Sequence, residues 1–193
     1  MKKILGILIL ALFTLPTPSQ ADDIRDFQIE GMSIGDSALD FFSKDELEEG
    51  KKKGFVYKKK TFYVSNFHGL SFFELYDTVE LHIKGTDPKY IIYSITGKIN
   101  YKNNYKGCVL ELEKILPNLK KLFNKSKIND HGELKWKNRN DQEIITKSYF
   151  IVLPSGDEIA LECYDQPKER IYNVDSLKIS IDSKEFVDFL SPS

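Results

Sequence analysis

Beyond residue 54 the apolar positions recur mostly at every second residue, a period that predicts strands with one buried face. Phe55 with Tyr57, Phe62 with Val64, Phe73 with Leu75, and Val79 with Leu81 and Ile83 all follow it. The clearest stretch runs from Tyr90 to Tyr101. There Ile91, Tyr93, Ile95, Gly97, Ile99 and Tyr101 share one face, and Ser94, Thr96, Lys98 and Asn100 share the other. The same alternation sends His82, between Leu81 and Ile83, towards solvent. The period then lengthens. Tyr105, Cys108, Leu112, Ile115, Leu119 and Leu122 recur at steps of three and four, the stripe of one long amphipathic helix. Pro117 falls inside it and is expected to kink or divide it, because proline lacks a donor and its ring crowds the preceding turn. The two-residue period returns in Leu134 and Trp136, in Ile144 to Leu153, in Ile159, Leu161 and Cys163, and in Leu177, Ile179 and Ile181. Pro154-Ser155-Gly156-Asp157 supplies a hairpin turn between two of these runs.

Helix starts are marked by side-chain oxygens. Asp36 or Ser37 can cap a brief helix carrying Ala38, Leu39, Phe41 and Phe42. Ser43 and Glu46 have the spacing of a capping box, and the helix it opens is expected to run to about Gly50. Ser183 can cap a terminal turn with Phe186, Val187, Phe189 and Leu190. The order is short helices, strands, one long helix, then strands again, with short connections between strands. That pattern predicts an α+β fold of antiparallel meanders packed by helices. Glu74-Leu75-Tyr76-Asp77 and Glu162-Cys163-Tyr164-Asp165 form a faint internal echo, which would give Cys163 the place of Leu75 in the core. Residues 22–193 then form a single domain or two intimate halves, 22–103 and 104–193, each a helix-then-strands unit.

Residues 1–21 carry a different signal. Lys2 and Lys3 precede an apolar run from Ile4 to Leu15, Pro16 and Pro18 break it, and Ser19-Gln20-Ala21 offers a small-residue exit. This is the pattern of a secretory signal peptide, with cleavage near Ala21 and a mature chain beginning at Asp22. About 20 apolar residues are needed to span a bilayer, so the run is too short for an anchor. The expected location is the periplasm or the medium.

Composition narrows the partners. Loss of Lys2 and Lys3 moves the formal charge from −1 to −3, so nothing global attracts a polyanion, and nucleic acid is not an expected partner. Arg25, Arg139 and Arg170 are the only arginines, which weakens any reading that needs bidentate phosphate or carboxylate recognition. Cys108 and Cys163, in a chain addressed to an oxidising compartment, are expected to form a disulfide; two separate buried thiols are the alternative.

Ile29-Glu30-Gly31-Met32-Ser33, followed by Ala38 and Leu39, resembles the Gly-Met-Thr/Ser motif before the first helix in two families of small bacterial envelope proteins. These are the outer-membrane assembly lipoproteins of the SmpA/OmlA type and the beta-lactamase inhibitor proteins. The resemblance implies a helix pair packed on an antiparallel meander, repeated in tandem in the inhibitor family, and a binding or assembly module. Asp22, not Cys, stands directly after the expected cleavage site, so the lipoproteins' point of lipid attachment is missing here. The chain also looks like exported proteins of AT-rich marine alphaproteobacteria.

The search for chemistry yields no catalytic, cofactor-binding or metal-ligating set. His68, His82 and His131 lie in no ligand spacing, and no nucleophile elbow, phosphate loop or dinucleotide fingerprint is present. Asp130, Asn138, Asn140 and Asp141 give only scattered oxygens, and Glu46, Glu48, Glu49, Asp77 and Glu80 read as solubilising carboxylates. Two lysine runs are more distinctive: Lys51, Lys52 and Lys53, then Lys58, Lys59 and Lys60, bracketing Phe55, Val56 and Tyr57. Six ammonium groups beside aromatics form a basic patch that could meet anionic lipid, or could guard an exposed sheet edge. Among 13 Phe, 10 Tyr and one Trp, the rings of Tyr63, Phe67, Phe72, Tyr76, Tyr101 and Tyr105 are candidates for display at a protein interface or for a ring-rich core. The leading expectation is a non-enzymatic binding or assembly module that presents a sheet face to an envelope protein. A small-ligand or lipid binder and an envelope-polymer hydrolase are the alternatives.

Overall fold

The serines open helices where their spacing predicts. Ser43 caps α1 (Lys44–Lys53): its hydroxyl accepts from the Glu46 N–H at 3.3 Å, and the Glu46 carboxylate accepts from the Ser43 N–H at 2.8 Å. That is a complete capping box. The helix passes Gly50 by most of a turn, with Lys51, Lys52 and Lys53 at the negative end of its dipole. Ser37 caps a 3-10 turn at Ala38–Asp40. Asn104 caps α2 (Tyr105–Leu122), accepting from the Gly107 N–H at 3.0 Å, and Ser183 caps α3 (Lys184–Leu190). This computed structural model describes residues 23–138, 140–167 and 174–191; the leader, its cleavage site near Ala21 and the expected first mature residue Asp22 lie outside the described residues.

Seven strands follow: β1 (Phe62–His68), β2 (Thr78–Lys84), β3 (Ile92–Asn100), β4 (Lys127–Lys137), β5 (Glu143–Val152), β6 (Glu158–Asp165) and β7 (Ser176–Asp182). They form one antiparallel sheet in the order β1-β2-β3-β7-β6-β5-β4. The fold is α+β, as the alternation predicts. Two meanders, each preceded by a helix, meet along their last strands, where β3 and β7 pair from Ser94 opposite Asp182 to Asn100 opposite Ser176. One core results. Val79, Leu81, Ile83, Ile95, Ile179, Ile181, Ile159 and Leu161 line one face of the sheet, and Leu47 of α1 and Cys108, Leu112, Leu116 and Leu119 of α2 join them in the same cluster. Cys108 and Cys163 are joined in a disulfide, with Cα atoms 5.9 Å apart, which ties α2 to β6 and makes Cys163 the core position the echo implied. Among the described residues no helix is long and apolar enough to cross a membrane.

Several local expectations fail for identifiable reasons. Phe55 to Tyr57 is not a strand; it touches β1 through a single bridge between Val56 and Tyr63, just after Gly54, where any Cβ would run into the Val64 carbonyl. Phe73 and Leu75 lie in a loop whose amides are taken by a carboxylate: Glu30 accepts from the backbone N–H groups of Glu74, Leu75 and Tyr76 at 2.8–2.9 Å. The echo therefore pairs a loop with a strand. In β3 a bulge opposite His82 and Ile83 makes Tyr93 the extra residue. Ile92 enters the core in its place, and Tyr93 turns to the opposite face, its ring 5.4 Å from that of Phe62. Pro117 does not divide α2, which continues to Leu122 with Leu112, Leu116 and Leu119 buried and Ile115 only half-buried. Burial on the sheet and the disulfide from Cys108 hold the helix across the missing donor.

Candidate functional site

Register decides which side chains meet on the face turned away from α1 and α2. His82, Ser94, Asp182 and Glu158 lie side by side across β2, β3, β7 and β6. The next row is Glu80, Thr96, Ser180 and Ala160, and the one after it is Thr78, Lys98, Lys178 and Glu162. Tyr164 and Ser176 close the series. Sequence alternation marks Ser94, Thr96, Lys98 and Asn100 as polar, but their β7 partners lie more than 70 residues further along the chain and carry no local signal.

Two halves of this face differ. At one end α3 covers it: the Phe186 ring lies 4.6 Å from the His82 imidazole and 5.3 Å from the Phe62 ring, and the Tyr57 hydroxyl meets His82 Nδ1 at 2.8 Å. His82 is thus buried, not turned to solvent, and Glu80 is no solubilising carboxylate. Burial pushes the His82 imidazole down to about 4, against the pull of Glu80. Asp182, in the same row, is pushed up to about 7 by burial; the adjacent Ser94 hydroxyl opposes that rise and Glu158 adds to it. Burial also raises the Glu158 carboxyl, with Glu162 contributing.

The other end is held by cross-strand pairs. Glu80 makes an ion pair with Lys98 and accepts from Asn66 Nδ2 at 3.1 Å. Burial alone would raise its carboxyl, but Lys98 outweighs that and holds it below the usual carboxylate range. Lys178 reaches Glu162 at 3.7 Å and lies over the Tyr164 ring at 5.3 Å, while the Tyr164 hydroxyl donates to Glu162 at 3.0 Å. The Thr96 and Ser180 hydroxyls bond each other at 2.8 Å between the two clusters. Lys98, Lys178, Glu162 and Tyr164 are only half-buried, so this end offers water two cations, a carboxylate and a phenol ring in fixed positions. Such a platform can form complementary ion pairs and ring contacts with little ordering cost.

The residues singled out by sequence are dispersed. His68 Nδ1 meets Thr78 Oγ1 at 3.0 Å, and the His131 ring lies 4.8 Å from that of Phe150, far along the chain from His82 and its hydroxyl partner. Asp130 caps the Gly132 N–H, and Asn138 accepts from Asn140 and Gln142. Among the described residues no group of three or more His, Cys, Asp or Glu is placed to hold a metal ion. The rings offered for display divide: Phe67 and Tyr76 are core, Tyr63, Tyr101 and Tyr105 are half-buried against it, and Phe72 is exposed. Lys51, Lys52 and Lys53 end α1, and Lys58, Lys59 and Lys60 form an exposed turn before β1, which is an edge strand. Lys51 and Lys52 pair with Glu48 and Glu49 on their own helix. Comparison with protein-family models, curated proteins and solved structures finds no match to this chain.

Proposed function

We propose that this protein is an exported, non-enzymatic binding or assembly module that presents the second face of its sheet to a protein partner in the bacterial envelope. The observation that carries the reading is the half-exposed group of Lys98, Lys178, Glu162 and Tyr164, in which Glu80 holds Lys98 and the other three hold one another in place. Charged side chains that are fixed before binding give up little rotamer freedom at an interface, and they discriminate by the sign of the potential they meet. The leader pattern and the disulfide support export, and the Gly31-Met32-Ser33 opening supports the kinship with envelope assembly and inhibitor proteins proposed here.

The test is crosslinking in intact cells of the native host, with the full chain tagged at its C-terminus. One abundant envelope protein is captured, and Lys178→Glu together with Tyr164→Ala abolishes its capture while the far-ultraviolet circular dichroism stays that of the parent. Capture indifferent to both changes sinks the reading. The lysines at the β1 edge support a second contact, with anionic lipid. Neutralising all six then weakens binding to anionic liposomes at low salt, whereas an edge-guarding role leaves it unchanged.

A further inference from the structure

The strand β4 ends the sheet. Among the described residues it pairs with β5 on one side only and, at eleven residues, is the longest strand, and its side chains Leu134 and Trp136 are 51% and 45% exposed. Long exposed edges that carry apolar side chains are templates for a further strand. Edge lysines normally deter such pairing, and β4 has Lys127, Lys135 and Lys137. The order of charges around Lys135 makes it selective instead.

We propose that two copies of this chain pair β4 against β4 antiparallel, about a two-fold axis through Leu134, to form one continuous sheet. In that register Leu134 faces Leu134 of the second copy. Glu133 meets Lys135 and Lys135 meets Glu133, so each ion pair is made twice. Gly132 meets Trp136 twice, and the bare glycine leaves room for the indole to lie across it. Centring the axis on Lys135 would keep an opposite-charge pair, Glu133 with Lys137, but would set lysine against lysine at the axis; centring it on Glu133 would set glutamate against glutamate. Of these three registers, the Leu134-centred one alone pairs the tract Gly132-Glu133-Leu134-Lys135-Trp136 with itself without a like-charge contact. A residue-centred axis suits an antiparallel ladder whether Leu134 or its neighbours turn their backbone groups outward, since both kinds of directly opposed pair occur.

The pairing is also bounded. A bulge between Asp130 and Gly132 breaks the regular edge at His131, so the ladder cannot extend indefinitely from that end. Both partners of the ion pair are free to reorganise. Glu133 accepts from the Tyr105 hydroxyl at 3.2 Å on an exposed surface, and Lys135 is 3.7 Å from Glu143 with both side chains more than half exposed. The axis lies perpendicular to the sheet, so the polar face of one copy continues into that of the other, and the dimer does not compete with the surface assigned above.

Analytical ultracentrifugation of the purified chain, with Trp136 emission followed in parallel, tests this directly, because Trp136 is the one tryptophan. A five-residue strand pair is a small interface, so a dimer is expected that dissociates on dilution through concentrations on the order of 100 µM, with the emission moving to the red. Glu133→Lys turns two opposite-charge pairs into like-charge pairs and raises the dissociation constant about tenfold. Lys135→Glu does the same while keeping the Tyr105 hydrogen bond, and so stands in if the first variant folds poorly. Glu133→Lys with Lys135→Glu restores dimerisation to within about twofold, although the carboxylate introduced in place of Lys135 still repels Glu143 within its own chain. A monomer up to about 1 mM overturns the proposal, as does a dimer that ignores the single changes or a double variant that fails to recover.

Discussion

At the scale of single residues, Gly97 and Glu30 show how much is decided by contacts that periodicity cannot see. Gly97 sits in the middle of β3, where a glycine ordinarily weakens a strand, and a Cβ there would enter the ring of the buried Tyr76. The glycine is a seat for that ring. Gly97→Ala is expected to cost about 2 kcal/mol, and Gly97→Ala with Tyr76→Ala less than the sum of the two, because the alanine methyl then fills vacated space. Urea midpoints of the four proteins check both statements. Glu30 holds a positive φ of 51° in the turn Ile29 to Met32, which delivers its carboxylate to the three amides of the loop before β2. The sequence shows Gly31-Met32-Ser33 as a motif, and the residue beside it does the long-range work.

At the scale of elements, α3 and the strand ends beneath it form a corner with opposed titrations. The Asp182 carboxyl is raised from 3.8 to about 7 in the fold, so the folded state holds the proton more tightly and stability falls as pH rises between those values. The His82 imidazole is lowered from 6.5 to about 4, so the unfolded state binds the proton more tightly and stability rises with pH across that interval. The two slopes, each about 1.4 kcal/mol per unit, cancel between about pH 4 and 6.5. Asp182→Asn removes one of them. The variant is expected to gain on the parent steadily from pH 4 to 7, which thermal or urea unfolding across that range will show; a difference independent of pH would refute the assignment. None of this corner is legible locally, since alternation alone placed His82 in water. The caps are legible, because Ser43 with Glu46, Ser37 and Ser183 act within a turn of themselves.

At the scale of the molecule, the two meanders are expected to unfold as one body, because β3 and β7 pair along seven residues and the cysteines join α2 to β6. The disulfide spans a sequence separation of 55, and on the chain-entropy account its loss costs about 4 kcal/mol. Replacing Cys108 and Cys163 together by Ala should lower the denaturation midpoint accordingly and leave the unreduced parent as the more stable protein. Reductant should move the parent to the midpoint of the variant and leave the variant unmoved. A single transition in every case is expected, since among the described residues one cluster of buried apolar side chains includes both meanders.

The sequence by itself determined the α+β class, most strands, the long helix, the helix starts and the pair of cysteines, because each of these is encoded by neighbours within one or two turns or by composition. Tertiary structure decided the strand order, the bulge that exchanges Tyr93 for Ile92, the burial of His82 and the meeting of Lys98, Lys178, Glu162 and Tyr164 on one face. Those features arise where segments distant in the chain are set in register, and a two-residue period records which face a side chain takes but not which strand lies beside it.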